Sequence, residues 1–335
     1  MKAIKFSLIF LILLSACTSK ETIQIDTQIM SNLGLKHKND FKGFGDIYKE
    51  ELKKDSLNIE AHLGLAEADI MLFVFGYERR EVILPQVVDS YENAYSIDPE
   101  HSDVYKLGAI INFLNAEWAA TEAGFKKSIE INPNNLNARH WYALYLIAMK
   151  RIEEAMAQSD YIMSKDLGEK YLLSRGSFFY FQYRFEEMKP LMLTAIENEP
   201  EVPWAYDWLG MAYNGLSEHE QAIETYIKAF NLSDGTVEVG GGLGHALGQA
   251  GELKAAKEMA DYYAIVAKDN YLPPVQRSFI HLGMEDYDCA IELLEQAYNE
   301  KSWFLLFMQI EHWYDPIRKD PRFIDIMERM NFPKK

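Results

Sequence analysis

The chain has 335 residues, of which 48% are apolar and 25% charged, and a net charge of −17. Its apolar and aromatic content disfavours wholesale disorder. Its acidity disfavours nucleic acid and anionic lipid headgroups as partners, because both would be repelled. Proline and glycine are scarce outside a few spots, which points to helix.

The first segment in chain order is set apart from the fold. Lys2 and Lys5 precede an apolar run over residues 6–14 whose only polar residue is Ser7, and Ser15, Ala16 and Cys17 follow. The run is too short to span a bilayer comfortably and predicts an export signal. Leu14-Ser15-Ala16-Cys17 resembles the lipobox of bacterial lipoproteins. That resemblance implies cleavage before Cys17, a diacylglycerol on its thiol, and an acylated amino group, and two or three acyl chains hold a protein firmly at a membrane. The expected organisation is therefore a signal peptide (1–16), a lipidated tether (17–30), a helical array (31–300) and a C-terminal cap (301–335). Losing residues 1–16 removes two lysines and no acid, so −17 becomes −19. Thr18 after the cysteine, in place of an inner-membrane-retaining aspartate, favours the outer membrane where a cell has one. Cys289 is then the one remaining thiol, which excludes an internal disulfide and reads as a buried small side chain on the apolar stripe of a helix.

From residue 40 onward a period of 34 governs the sequence. Ala94, Ser128, Ile162, Ala195, Ala229, Tyr263 and Ala297 follow one another at 33 or 34 residues. Seven residues before each stand Val87, Thr121, Ala155, Met188, Ala222, Ala256 and Ala290. Offsets of three and four place these positions on one helical face, against a neighbouring helix. A second series, Gly108, Ala143, Gly176, Gly210 and Gly244, marks another helix in each unit, where small residues let two helices approach closely. Asp98-Pro99, Asn132-Pro133 and Glu199-Pro200 end helices. Residues 59–101 hold about eight extra residues near Phe73–Leu84, which predicts a longer connection and a candidate self-association edge at 72–85. At the end, Asp320 reads as an N-cap with Pro321 at the first helical position. Phe323, Met327 and Met330 form the face of a capping helix, with the run Trp303–Phe307 expected beneath it.

Residues 203–236, with Tyr206, Leu209-Gly210, Tyr213, Ala222, Tyr226 and Ala229, resemble the tetratricopeptide repeat, and residues 102–135 nearly as well. The resemblance implies an all-α, right-handed solenoid of about seven to eight helix pairs whose first helices line a concave groove. By repeat position the groove candidates are Tyr105, Asn112, His140, Tyr180, Trp204, Asp207, Asn214, His245 and Gln249. Aromatics and amides of this kind suit a protein or peptide segment. The carboxylate clamp known in this family needs lysine, arginine and asparagine where this chain has Tyr105, His140, Leu173, Asp207 and Gly241, so that speciality is not expected. The stretch from Gly244 to the run Asp315–Phe323 is similar to the C-terminal half of bacterial tetratricopeptide regulators that carry a winged-helix or cyclase-like domain in front.

Chemistry-bearing patterns are thin. Gly240-Gly241-Gly242-Leu243-Gly244 lacks the lysine-serine pair and preceding strand of a phosphate loop, and reads as close helix packing. The histidines show no zinc-ligand spacing, and His281 with Cys289 is weak evidence for a metal or a nucleophile. No enzyme, cofactor or metal is expected. The sequence points to a lipid-anchored interaction scaffold of the cell envelope, with a ligand- or peptide-capturing lipoprotein serving a transporter as the alternative.

Overall fold

The computed structural model describes residues 38–165, 171–233 and 236–333. The signal segment, Cys17 and the tether lie outside the described residues. Within them the regular structure is all helical: α1 (Lys38–Lys54), α2 (Ile59–Val74), α3 (Arg80–Ile97), α4 (Ser102–Leu114), α5 (Trp118–Ile131), α6 (Leu136–Ala148), α7 (Ile152–Met163), α8 (Leu172–Tyr180), α9 (Phe185–Asn198), α10 (Pro203–Gly215), α11 (His219–Leu232), α12 (Val237–Gln249), α13 (Leu253–Val266), α14 (Pro274–Gly283), α15 (Tyr287–Asn299) and α16 (Pro321–Arg329). Two 3-10 turns, Trp303–Phe307 and His312–Ile317, stand between α15 and α16. From α2 to α15 the helices form pairs, an even-numbered inner helix and an odd-numbered outer one, stacked as an α-solenoid. No described helix is long and apolar enough to cross a membrane.

Local chemistry sets the helix boundaries. Asn58 and Asn135 accept hydrogen bonds from Ala61 N and Ala138 N, capping α2 and α6. All seven inner helices end on a residue with positive φ: Gly76, Ala116, Lys150, Tyr183, Ser217, Gly251 and Glu285. In each, the next amide reaches back to a carbonyl in the last turn, as in Glu117 N to Asn112 O and Asp286 N to His281 O, both 2.9 Å. This bond satisfies an orphan carbonyl and offsets the roughly 1–2 kcal/mol that a side chain costs in the left-handed region.

The predicted stripe is the core between inner and outer helices. Val87, Thr121, Ala155, Met188, Ala222, Ala256 and Ala290 are all fully buried. Between α12 and α14 the contact is backbone to backbone. A Cβ on Gly248 would lie 2.3 Å from the carbonyl carbon of Gly283, and one on Gly241 2.5 Å from the Gln276 carbonyl oxygen. The glycine run is thus a packing surface, as its sequence suggested.

The extra residues of the first full pair go mostly into its helices; the predicted longer connection, residues 75–79, exceeds the one at 115–117 by only two residues. Helix α2 has 16 residues and α3 has 18, against 13 and 14 in α4 and α5. The short link over residues 75–79 does not form a free edge: Phe75 packs on Trp204 of α10 with ring centroids 4.8 Å apart. Arg79 sits over the Tyr271 ring at 4.7 Å. The beginning of the array therefore touches its later repeats, and the superhelix closes on itself.

Candidate functional site

The concave face is lined by the inner helices, and the chain's own C-terminal segment runs through it. Trp303 meets Phe113 of α4 and Trp141 of α6 edge-on, each at 5.7 Å. Phe307 stacks on Phe181 at the end of α8, with centroids 5.5 Å apart and planes 14° apart. Trp303, Leu306, Phe307 and Ile310 belong to the same buried cluster as α2 to α8, whereas Leu305 and Met308 face the last repeat. A tight 3-10 turn suits this position because it turns apolar side chains to both sides within five residues. The run was expected beneath the cap helix, and Leu305 does share a buried cluster with Phe323 and Ile326 of α16; Trp303, Leu306 and Phe307 turn the other way, so the run is a strap between the cap and the inner helices.

Polar contacts fix the strap's register. The Tyr180 hydroxyl donates to Glu311 Oε1 at 2.7 Å, and Gln309 Nε2 donates to the Ala148 carbonyl at 3.3 Å. Trp313 lies parallel to His245 of α12 at 4.2 Å and edge-on to Phe279 of α14 at 4.6 Å. Beyond the strap, α16 seals the last repeat through Phe323 and Ile326. Arg322 pairs with Asp288 at 2.8 Å, and Arg329 with Glu295. The chain then turns back across the molecule: the Trp118 indole donates to the Asn331 carbonyl at 2.8 Å and stacks on Phe332.

Of the sequence-predicted groove residues, Tyr180, Trp204, Asp207, Asn214 and His245 are buried against the chain itself. Asn214 joins two histidines: its Nδ2 donates to His245 Nδ1 at 3.0 Å, and its Oδ1 accepts from His219 Nδ1 at 3.2 Å. Burial pushes His245 down to about 3, so it is a neutral ring. Asp207 Oδ1 and the hydroxyls of Tyr226 and Tyr314 are buried without a hydrogen-bond partner among the described residues. Burial alone pushes Asp207 up to about 8, which keeps its carboxyl protonated at neutral pH. His140 lies half-buried with its ring over Phe178, and Gln249 is exposed at the end of α12.

Tyr105 and Asn112 are misplaced by one residue in the repeat register. Asp207 stands ten before the left-handed Ser217 and His140 ten before Lys150, but ten before Ala116 is Lys106. Tyr105 instead turns towards the outer layer, its hydroxyl 3.5 Å from Glu100 and near Tyr91 of α3. By the same count Phe113, not Asn112, is the counterpart of Tyr180 and Asn214. Lys106 is fully buried, paired with Glu67 of α2 and, at 2.5 Å, with Asp103. Asn137 of α6 donates to the same Glu67 at 3.1 Å, so one polar ladder ties three inner helices together.

Residues 125–157 and 205–235 match family models of the tetratricopeptide repeat. The chain carries tetratricopeptide repeats. No curated protein sequence matches it. Among solved structures it is similar to the anaphase-promoting-complex heterotetramer Cut9–Hcn1, at 16% identity and a TM-score of 0.55, over 91% of this chain and 62% of that one. The chain thus spans less than two thirds of that protein's length. It is also similar to yeast Tom70 (15% identity, TM-score 0.48, 93% of this chain and 69% of that). A tetratricopeptide repeat protein from Parabacteroides merdae matches at 14% identity and a TM-score of 0.47, over 82% of this chain and 93% of that one. These likenesses concern the fold. A tetratricopeptide solenoid is a protein-interaction scaffold, and here its inner surface already holds a length of polypeptide.

Proposed function

We propose that this chain is a lipid-anchored tetratricopeptide scaffold of the cell envelope that recognises an aromatic-rich protein segment on its concave face. The observation that carries the reading is the strap. An irregular stretch of chain, held by indole and phenyl stacking with one carboxylate hydrogen bond, occupies the surface on which a partner segment would lie. The inner helices are therefore shaped for this class of ligand, and a partner segment engages them by competing with residues 303–313. The lipobox-like sequence at Leu14–Cys17 supports the membrane anchor.

The test is photo-crosslinking in intact cells with a probe at Gln249, exposed at the end of an inner helix, and a control at Glu224 on the outer layer. One protein captured from Gln249 alone, and captured more strongly when Trp303→Ala loosens the strap, supports the reading. Equal labelling from both faces, or no gain on loosening the strap, counts against it.

A further inference from the structure

The turn between α14 and α15 differs from every other turn in the array. His281 in the last turn of α14, Asp286 at the N-cap of α15 and Cys289 in the first turn of α15 each present one donor atom, and the three atoms lie within 4.8 Å of one another. Counted from the left-handed residue that ends the inner helix, the same three places hold Leu247, Glu252 and Ala255 one repeat earlier. Two repeats earlier they hold Tyr213, Glu218 and Gln221. An acid recurs at the residue before the outer helix, although of the three only Asp286 caps it; the imidazole and the thiol are additions of this repeat alone among these three. Asp286 uses Oδ1 to accept from Cys289 N at 3.4 Å, leaving Oδ2 facing His281 Nδ1 at 2.9 Å. All three side chains are partly exposed, so an ion could reach them from solvent.

We propose that His281, Asp286 and Cys289 form a binding site for a zinc-class divalent cation, with its fourth position open to water or to a donor from a partner. Donor chemistry selects the metal class. One nitrogen, one carboxylate oxygen and one sulfur suit zinc or cobalt and do not suit magnesium or calcium, which take oxygen. Geometry is compatible as well. Tetrahedral donors at about 2.0–2.3 Å from zinc stand about 3.3–3.8 Å apart. The His281–Asp286 pair would open by a few tenths of an ångström, and Cys289 would close by up to about 1 Å, a side-chain rotation. The thiol gives up its proton on binding and His281 binds as the neutral ring, so affinity rises with pH. The site adjoins Asp288, the residue that holds Arg322 of α16. A bound ion would steady the last repeat on the side where Asp288 holds α16.

The probe is cobalt(II), titrated into the purified full chain while the thiolate-to-cobalt charge-transfer band in the near ultraviolet is followed. The expected result is a band saturating at one equivalent, displaced by zinc and untouched by excess magnesium or calcium. Cys289→Ser abolishes the band, His281→Ala weakens cobalt binding at least about tenfold, and Cys17→Ser leaves it in place. Circular dichroism of each variant checks that the helices are intact. A band that survives Cys289→Ser, no band at all in the parent chain, or equal competition by magnesium overturns the proposal.

Discussion

Replacing Trp303 with alanine measures how firmly the strap holds the concave face. The indole is 6% exposed and meets Phe113, Trp141 and Phe307 edge-on at 5.7, 5.7 and 5.0 Å. Each such aromatic pair contributes about 0.5–1.5 kcal/mol beyond area burial. Removing a buried tryptophan costs about 3–5 kcal/mol in all when the site cannot collapse. Here it cannot: Phe113 and Trp141 stand on two inner helices, α4 and α6, whose backbones are fixed by repeat stacking, and Phe307 is held in the same 3-10 turn as Trp303. In a solenoid such a loss is felt locally first, because each repeat contacts mainly its neighbours. Native-state hydrogen exchange is therefore the assay, read at the strap amides of Met308 and Ile310, which donate to Leu305 and Phe307. At about 1.4 kcal/mol per decade, their protection should fall by roughly two to three and a half orders of magnitude, with amides of α11 and α13 changed far less. A fall below about tenfold at the strap, or an equal fall in every helix, refutes the idea of a discrete strap holding itself in the groove. Tyr105→Ala, half-buried at the outer edge, serves as the contrast and should change the same amides little.

Four further outcomes follow from the same geometry. Gly248→Ala, whose Cβ would strike the Gly283 backbone, should destabilise by several kcal/mol in urea melts, whereas Gly43→Ala, with nothing within 4 Å, should stabilise by up to about 1 kcal/mol. Lys106→Ala leaves Glu67 buried beside only Asn137 and should cost about 3–5 kcal/mol, while Lys106→Met with Glu67→Gln should recover most of it, which urea melts of both variants would show. Burial raises Asp207 from 3.8 to about 8, so its contribution to stability is fully present below pH 4 and is lost as pH rises through 8; Asp207→Asn should gain on the order of 1–3 kcal/mol at pH 8 and little at pH 4 by denaturant titration. Cys17→Ser should move the protein from the membrane pellet to the soluble fraction on cell fractionation, and retention in the pellet would exclude the lipid anchor.

The helical faces were legible because side-chain direction is a local, covalent consequence of the helix. Offsets of three, four and 34 residues are enough to place Ala222, Ala256 and Ala290 between layers without knowing the superhelix. The glycine run of α12 was legible for the same reason: a row of missing side chains has few uses other than close approach. The turns inside each pair were not. Lys150, Tyr183 and Glu285 adopt the left-handed conformation that only Gly251 and Gly76 announce, since the hydrogen bond back to the last turn stabilises the shape whatever the side chain. Without those landmarks a one-residue irregularity put Tyr105 and Asn112 where Lys106 and Phe113 stand.

The fate of the groove was beyond the sequence altogether. Composition, period and capping determined an all-helical repeat array and the stripe each outer helix turns to the core. Whether the concave face is open depends on small rotations summed over seven helix pairs, which bring Tyr180 to Glu311 across 131 residues and Phe75 to Trp204 across 129. No local pattern encodes such a sum. The tertiary structure alone decided that the aromatic run at Trp303 enters the superhelix it follows, because only there do Phe113, Trp141 and Phe181 converge to cover it.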